Sequence, residues 1–212
     1  GVETPNDIHN SGTINFNHGL DENNNPLIGS LDGGISNYGT INKTGAGTLI
    51  LGDGMKNSGT GTFTQSAGLT IAHTEHFLIG TNTITGGELR IHGASLENLI
   101  ASVSNGAVLT YLTTRTERQN VALGTNVSVI GANMTFGAYE GVEQAQYTLG
   151  SDIASDARAL KVIIQDSNIK MTGDTYAGSY EIGSSNVIEM RDESIEEQSV
   201  TFADLDGSGA TL

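Results

Sequence analysis

With 212 residues, the chain is long enough for one large or two small domains, and it contains no cysteine. Disulfides, thiolate metal sites and cysteine nucleophiles are therefore excluded. The 24 acidic and 9 basic residues give a formal net charge of −15, which disfavours nucleic acid and anionic lipid surfaces as partners. No stretch approaches about 18 consecutive apolar residues, so we expect no membrane insertion by this segment.

Three similar segments lie in the first third of the chain. Ile8-His-Asn-Ser-Gly-Thr-Ile14 resembles Ile35-Ser-Asn-Tyr-Gly-Thr-Ile41, and Met55-Lys-Asn-Ser-Gly-Thr-Gly61 is a weaker third copy. The first two copies are 27 residues apart and the next two are 20 apart. The polar run at 21–26 roughly accounts for the difference, so we interpret it as a loop insert in one repeat.

Short strand signals follow at 48–51, 68–71, 88–91, 107–111 and 126–130. Several alternate apolar and polar residues, as expected for a strand with one buried face. Gly and Asn separate them, as in Thr85-Gly-Gly87 and Ser104-Asn-Gly106, and these residues reach positive φ at little cost. The best helical candidates, 151–160 and 192–198, are interpreted as short insertions or a cap.

An aliphatic residue recurs every twentieth position through the middle of the chain. The series is Leu49, Leu69, Leu89, Leu109, Val129, Leu149 and Ile169. A fixed period of this length is typical of a solenoid, in which inward side chains of successive coils stack into a ladder. We therefore predict an all-β fold, a parallel β-helix with about 20 residues per coil. Residues 1–190 would form this single domain, and 191–212, beyond the last in-phase residue, an acidic cap or tail.

The segment Lys43-Thr-Gly-Ala-Gly-Thr-Leu-Ile-Leu-Gly52 resembles the opening of the passenger-associated repeat of bacterial autotransporters. Its closing half is similar to Ala67-Gly-Leu-Thr-Ile71, with a second copy at 86–91. The resemblance implies a right-handed parallel β-helix, exposed outside or on the outer membrane of a Gram-negative bacterium. It implies a stalk or adhesin fragment of a longer protein, in keeping with a chain that begins at Gly1. It carries over no functional residue, because the matching motif is structural.

Two places in the sequence contain residue types that can bind metals. His73 and His76, with His92 about one coil later, are interpreted as a turn or outward-facing pair, with zinc binding as the alternative. Asp204, Asp206 and Ser208 occupy the first, third and fifth positions of a calcium loop, followed by Gly209 at the sixth. The twelfth-position glutamate is missing before Leu212, so the tail is either a flexible acidic terminus or an incomplete calcium loop. No other cofactor is expected.

The β-helix fold also hosts polysaccharide lyases and glycosidases, which need paired carboxylates, a basic residue and aromatic side chains to hold sugars. Here the aromatic content is 5% and tryptophan is absent. Arg90, Arg115 and Arg118 are the arginines of the middle coils, with Arg90 expected to point outward. Asp152 and Asp156 would pair only on a helix.

We therefore expect no catalytic residue and a non-enzymatic stalk or adhesin module, with a carbohydrate-active enzyme as the alternative. The expected partner is a host or neighbouring-cell surface protein or glycan, contacted by the inserts at 21–26 and 112–120. The sequence specifies no oligomeric state.

Overall fold

The computed structural model describes residues 8–31, 35–51, 57–58, 60–72, 80–92, 100–113, 119–121, 127–130, 132–139, 145–149, 161–164, 167–171, 179–182, 188–189 and 199–202. Within these ranges the regular secondary structure is entirely β-strand. None of the described residues belongs to a helix that could cross a membrane.

The strands, in chain order, are β1 (Ile8–Asn10), β2 (Thr13–Phe16), β3 (Ile28–Leu31), β4 (Ile35–Asn37), β5 (Thr40–Lys43), β6 (Thr48–Leu51), β7 (Asn57–Ser58), β8 (Thr62–Gln65), β9 (Leu69–Ala72), β10 (Thr81–Ile84), β11 (Glu88–His92), β12 (Ala101–Ser104), β13 (Val108–Thr113), β14 (Gln119–Val121), β15 (Val127–Ile130), β16 (Asn133–Ala138), β17 (Ala145–Leu149), β18 (Lys161–Ile164), β19 (Ser167–Met171), β20 (Ser179–Ile182), β21 (Ile188–Glu189) and β22 (Ser199–Phe202).

These strands form four sheets. The nine-stranded sheet has the order β22-β20-β18-β16-β13-β11-β9-β6-β3, and the six-stranded sheet has the order β15-β12-β10-β8-β5-β2. Two smaller sheets have the orders β1-β4-β7 and β14-β17-β19-β21. All the named strand pairs are parallel.

The chain visits different sheets in turn, and most of the described strands pair with one from the next circuit. Thus β4, β5 and β6 lie in three different sheets, and they pair with β7, β8 and β9 respectively. Parallel strands need such a crossover between them, which the other sheets provide here. The prediction of an all-β fold is confirmed, and the stacked parallel strands are consistent with a β-solenoid.

Two columns of inward side chains form the core behind the nine-stranded sheet. In the first, the residues paired in register are Leu49, Thr70, Leu89, Leu109 and Met134, all 0% exposed. The second column contains Leu51, Ala72, Ile91, Tyr111 and Phe136, which are equally inaccessible. Each large aliphatic side chain buried in this way contributes about 1.5–3 kcal/mol to stability, so these columns dominate the interior.

The predicted twenty-residue ladder is correct at Leu49, Leu89 and Leu109 but wrong at Leu69. Leu69 is only partly buried, and Thr70 occupies the core position instead. Successive members of this column, from Leu49 to Met134, are 21, 19, 20 and 25 residues apart.

The later members of the predicted ladder lie in other sheets. Val129 is in β15 of the six-stranded sheet, where it pairs with Val103. Leu149 and Ile169 belong to β17 and β19 of the four-stranded sheet. Insertions between strands change the number of residues per circuit. Residues twenty positions apart therefore do not always lie in the same sheet.

Glycines before the strands explain the register at Leu69. Gly68 has φ of +73°, and a Cβ there would collide with the carbonyl oxygen of Gly47. Gly87 has φ of +72°, and a Cβ there would collide in the same way with the carbonyl oxygen of Gly68. Leu69 N–H donates to Gly47 O, and Glu88 N–H donates to Gly68 O. Because only glycine fits this stack, Gly68 aligns with Gly47 and places Thr70 inward.

The N-terminal repeats are paired strands. Ile8 pairs with Ile35, and the next strand of each copy is aligned in the same way. The third copy is wrong by two residues, because Ile35 pairs with Asn57 rather than Met55. The motif Asn-x-Gly-Thr therefore keeps its place in the ladder in the first two copies but not in the third.

Residues 21–26 form a tight loop, closed by an antiparallel bridge between Leu20 and Pro26. The Asp21 carboxylate accepts hydrogen bonds from the backbone N–H groups of Asn23 and Asn25, both at 2.8 Å. The bonds from the Asn25 backbone and side chain, followed by that from Asn23, lower the pKa of Asp21. An ionised Asp21 thus organises the loop by itself.

Some of the predicted elements lie outside the described residues, including the helical candidates at 151–160 and 192–198. Within the segment 191–212, the described strand β22 pairs in parallel with β20. The nine-stranded sheet therefore continues into the segment predicted as a cap or tail.

Candidate binding groove

A depression of about 380 Å³ lies on the outward face of the nine-stranded sheet, over β11, β13 and β16. The residues that line it are Glu88, Arg90, Val108, Thr110, Leu112, Thr135, Gly137 and Ala138. Most of these are at alternate positions of their strands, opposite the core columns, because successive side chains of a strand point to opposite faces.

The depression lies where a large and a small residue of neighbouring strands are paired. Leu112 pairs in register with Gly137 of the next strand. Because glycine has no side chain, Gly137 contributes only its backbone to the lining beside Leu112. The hollow is bordered by two aliphatic side chains and two hydroxyls, those of Val108, Leu112, Thr110 and Thr135.

An ion pair forms one edge of the groove. Arg90 lies between the buried residues Leu89 and Ile91 and points outward, as the sequence predicted. Its Nε donates to Glu88 Oε1 at 2.8 Å, and its Nη2 donates to Glu88 Oε2 at 3.0 Å. The side chains are 33% and 27% exposed, so the pair contributes little to stability. Its effect is to hold the guanidinium in one orientation, with Nη1 unbound by Glu88.

The groove has few groups suited to acid–base chemistry. Glu88 is the one carboxylate among its lining residues, and it is paired with Arg90. Glycoside hydrolysis uses two carboxyl groups on opposite sides of the scissile bond. The lining instead offers hydroxyl, guanidinium and aliphatic groups, which suit the binding of a small polar segment of a larger ligand.

His92 packs against an aromatic ring. It is 6% exposed, and its ring centroid lies 4.3 Å from that of Tyr139, with an angle of 54° between the rings. His73 and His76 lie outside the described residues. No cluster of three metal-binding side chains occurs in the described parts of the chain.

The other candidate residues also lie outside the described ranges. These are the possible calcium ligands Asp204, Asp206 and Ser208, together with Arg115, Arg118, Asp152 and Asp156. Of the predicted insert at 112–120, the residues 114–118 lie outside the described ranges as well.

Sequence reasoning missed a buried lysine. Lys43 is 0% exposed, and its ammonium group donates to the backbone carbonyls of Gly45 and Ala67. Burial lowers the pKa of Lys43. The signal was available, because Ile41 and Lys43 are two residues apart in β5 and so share the inward face. The lysine of the repeat-like motif therefore has a structural role in the turn.

Asparagines have a similar role in the smallest sheet. Asn10 Nδ2 donates to Asn37 Oδ1 at 2.8 Å, and both side chains are buried. Their Oδ1 atoms accept hydrogen bonds from the backbone N–H groups of Gly12 and Gly39 respectively. The stacked asparagines thus accept hydrogen bonds from the backbone of the turn after each strand.

No family model, curated protein or solved structure matches the chain.

Proposed function

We propose that the chain is a non-enzymatic, extracellular segment of a bacterial surface protein, which acts as a stalk or adhesin module. In this proposal the coils form a right-handed parallel β-helix of about 20 residues per coil. The observation that carries it is the continuous parallel sheet from β3 to β22. Stacked strands of this kind build an elongated scaffold in which each coil contacts its neighbours and side chains on the outside are free to bind.

The resemblance of residues 43–52 to an autotransporter passenger repeat supports the surface location. Within that motif, Lys43 is buried and Gly47 stacks against Gly68. Lys43 and Gly47 therefore have a structural role in the turn between two strands. Repeated turns of this kind are what a stalk built of stacked coils requires.

Two surfaces are suited to contact a partner protein or glycan. The first is the groove beside Glu88 and Arg90, where polar and aliphatic groups are combined. The second is the loop at 21–26, next to Leu27 and Ile28, which are 47% and 67% exposed. We assign recognition to the groove, because its Arg90 is already oriented and pays little entropy on binding.

A binding assay tests this assignment. The chain is immobilised, and its binding to bacterial cells, host cells and a glycan array is compared with that of the variant Val108→Arg, which would fill the groove. The matched control is Ser30→Arg, on the outward face of β3 and away from the groove. We expect V108R to lose at least tenfold in affinity and S30R to keep it. Equal binding by all three proteins would contradict the groove assignment.

The stalk and enzyme hypotheses differ in turnover. Incubation with polyuronates and neutral polysaccharides should release no product, and product release would contradict the proposal. A thermal-shift titration with calcium separately tests Asp204, Asp206 and Ser208. If these residues bind calcium, the melting temperature rises with calcium in the wild type and not in Asp204→Asn/Asp206→Asn.

A further inference from the structure

The outward face of the six-stranded sheet has a regular chemical pattern, which we call the threonine array. It comprises three outward positions on each of five successive strands or their flanking residues. These are Thr13, Asn15, Asn17, Thr40, Asn42, Thr44, Thr62, Thr64, Ser66, Thr81, Thr83, Thr85, Ile100, Ser102 and Ser104. Eight are threonine, three serine, three asparagine and one isoleucine, and none of the fifteen is buried.

The array has no charge in a protein of net charge −15. The outward face of the nine-stranded sheet differs, since it contains the Glu88–Arg90 pair together with Ile50 and Ile71. The array of uncharged and mostly polar side chains is therefore particular to the six-stranded sheet. This face therefore offers a partner hydrogen-bonding groups but no charged group.

The side chains of the array are held in place. Thr62 Oγ1 donates to Thr40 Oγ1 at 3.2 Å, and Thr64 Oγ1 donates to Asn42 Oδ1 at 2.6 Å. Asn42 Nδ2 in turn donates to Asn15 Oδ1 at 2.9 Å. Threonine is also restricted at χ1 by its branched Cβ. These bonds order five side chains across the first three strands of the array, and the branched Cβ limits the motion of its other threonines.

The spacings of this lattice follow from sheet geometry. Rows are about 4.8 Å apart across strands, and alternate residues are about 6.7 Å apart along a strand. In tetrahedrally bonded water with O–H···O distances of about 2.75 Å, second-neighbour oxygens lie about 4.5 Å apart and the layer repeat is about 7.3 Å. Over five rows and three columns the mismatch accumulates to about 1.2 Å in each direction, which is less than half a hydrogen-bond length.

We propose that the threonine array binds the surface of an ice crystal. A soluble sugar would have to displace water from each hydroxyl, and each such exchange gains only about 0.5–1.5 kcal/mol. The array also lacks an aromatic side chain on which a sugar ring could stack. A lattice of ordered water displaces no hydration shell, because the first water layer on the array becomes the first layer of the crystal.

The test measures ice growth directly. We expect the wild-type chain to inhibit ice recrystallisation and to separate melting from freezing temperatures in a nanolitre osmometer. The double variant Thr64→Tyr/Thr83→Tyr places two bulky rings at the centre of the array and should abolish both effects. The matched control is Ser30→Tyr/Ile50→Tyr, on the outward face of the nine-stranded sheet, which should keep them.

Folding is checked by circular dichroism and urea denaturation, so that a lost effect is not confused with unfolding. If the double variant does not fold, Thr83→Lys alone replaces it, because a single charge at the array centre also disrupts the lattice. Absence of any ice effect in the wild type would overturn the proposal, as would equal loss in the control. Binding of the wild type to neutral polysaccharides without an ice effect would also overturn it.

Discussion

Thr70 is the polar member of an otherwise apolar core column. It is 0% exposed between Leu49 and Leu89, and among the described residues no hydrogen-bond partner reaches its Oγ1. A buried hydroxyl without a partner loses its hydration and gains nothing in return. This residue therefore reduces the stability of the core that surrounds it.

Replacing Thr70 by valine should raise the free energy of unfolding by about 1 kcal/mol, because the methyl group fills the same space without a desolvation cost. Urea denaturation monitored by circular dichroism measures the change. The matched control is Thr64→Val, since Thr64 Oγ1 donates to Asn42 at 2.6 Å and its loss brings no gain. A lower stability in T70V would mean that the hydroxyl is satisfied.

Lys43 makes stability depend on pH. Since burial lowers the pKa of Lys43 below 10.5, the unfolded chain binds more protons than the folded one between the two values. The contribution of Lys43 to stability therefore rises with pH within that window. Below the folded pKa, the destabilisation caused by burying the charged ammonium group is complete. The variant Lys43→Met removes this contribution.

We expect the difference in unfolding free energy, wild type minus K43M, to increase as pH rises from 7 toward 10.5. Urea titrations at several pH values measure it, and taking the difference cancels the other titrating groups. Parallel curves for the two proteins would indicate that Lys43 keeps its ordinary pKa in the folded state.

At the scale of strands, glycines rather than leucines determine the register. Leucine alternation predicted strands near 48–51 and 88–91, and both are observed at these positions. It placed the next inward residue at Leu69, but the backbone contact between Gly68 and Gly47 moves the register by one. A shift of one residue exchanges the two faces of a strand, so hydrophobic spacing alone could not identify Thr70 as the core residue.

Gly68→Ala should destabilise the protein by about 2 kcal/mol or more, because the Cβ would be strained at φ of +73° and would also meet backbone carbonyls. Gly106→Ala is the matched control. Gly106 has φ of +76°, but nothing lies within 4 Å of the position of its Cβ. Thermal unfolding of both variants separates backbone strain from stacking, and equal losses would argue against the glycine stack.

At the scale of the whole molecule, the net charge of −15 opposes a compact state. Added salt screens this repulsion, since the Debye length falls to about 8 Å at physiological ionic strength. We expect the melting temperature at pH 7 to rise as NaCl increases from low to physiological concentrations. Near the sequence pI of about 4.4 the same series should have little effect. An equal response at both pH values would point to a salt effect unrelated to net charge.

The sequence by itself determined the strands near 48–51, 68–71, 88–91, 107–111 and 126–130, the stacking of successive repeats and the outward direction of Arg90. These follow from two-residue alternation and from repeated turn residues, which act locally. The first two N-terminal repeats were correctly aligned for the same reason, since Ile8 and Ile35 begin equivalent strands.

Only the tertiary structure decided which residues share a column and where a groove forms. The number of residues per circuit varies between 19 and 25 along the Leu49 to Met134 column, and the sequence does not mark where the extra residues lie. The groove depends on Gly137 lying beside Leu112, two residues brought together by that register. Contacts between coils are long-range, so they depend on the loop lengths of the whole chain and not on any local pattern.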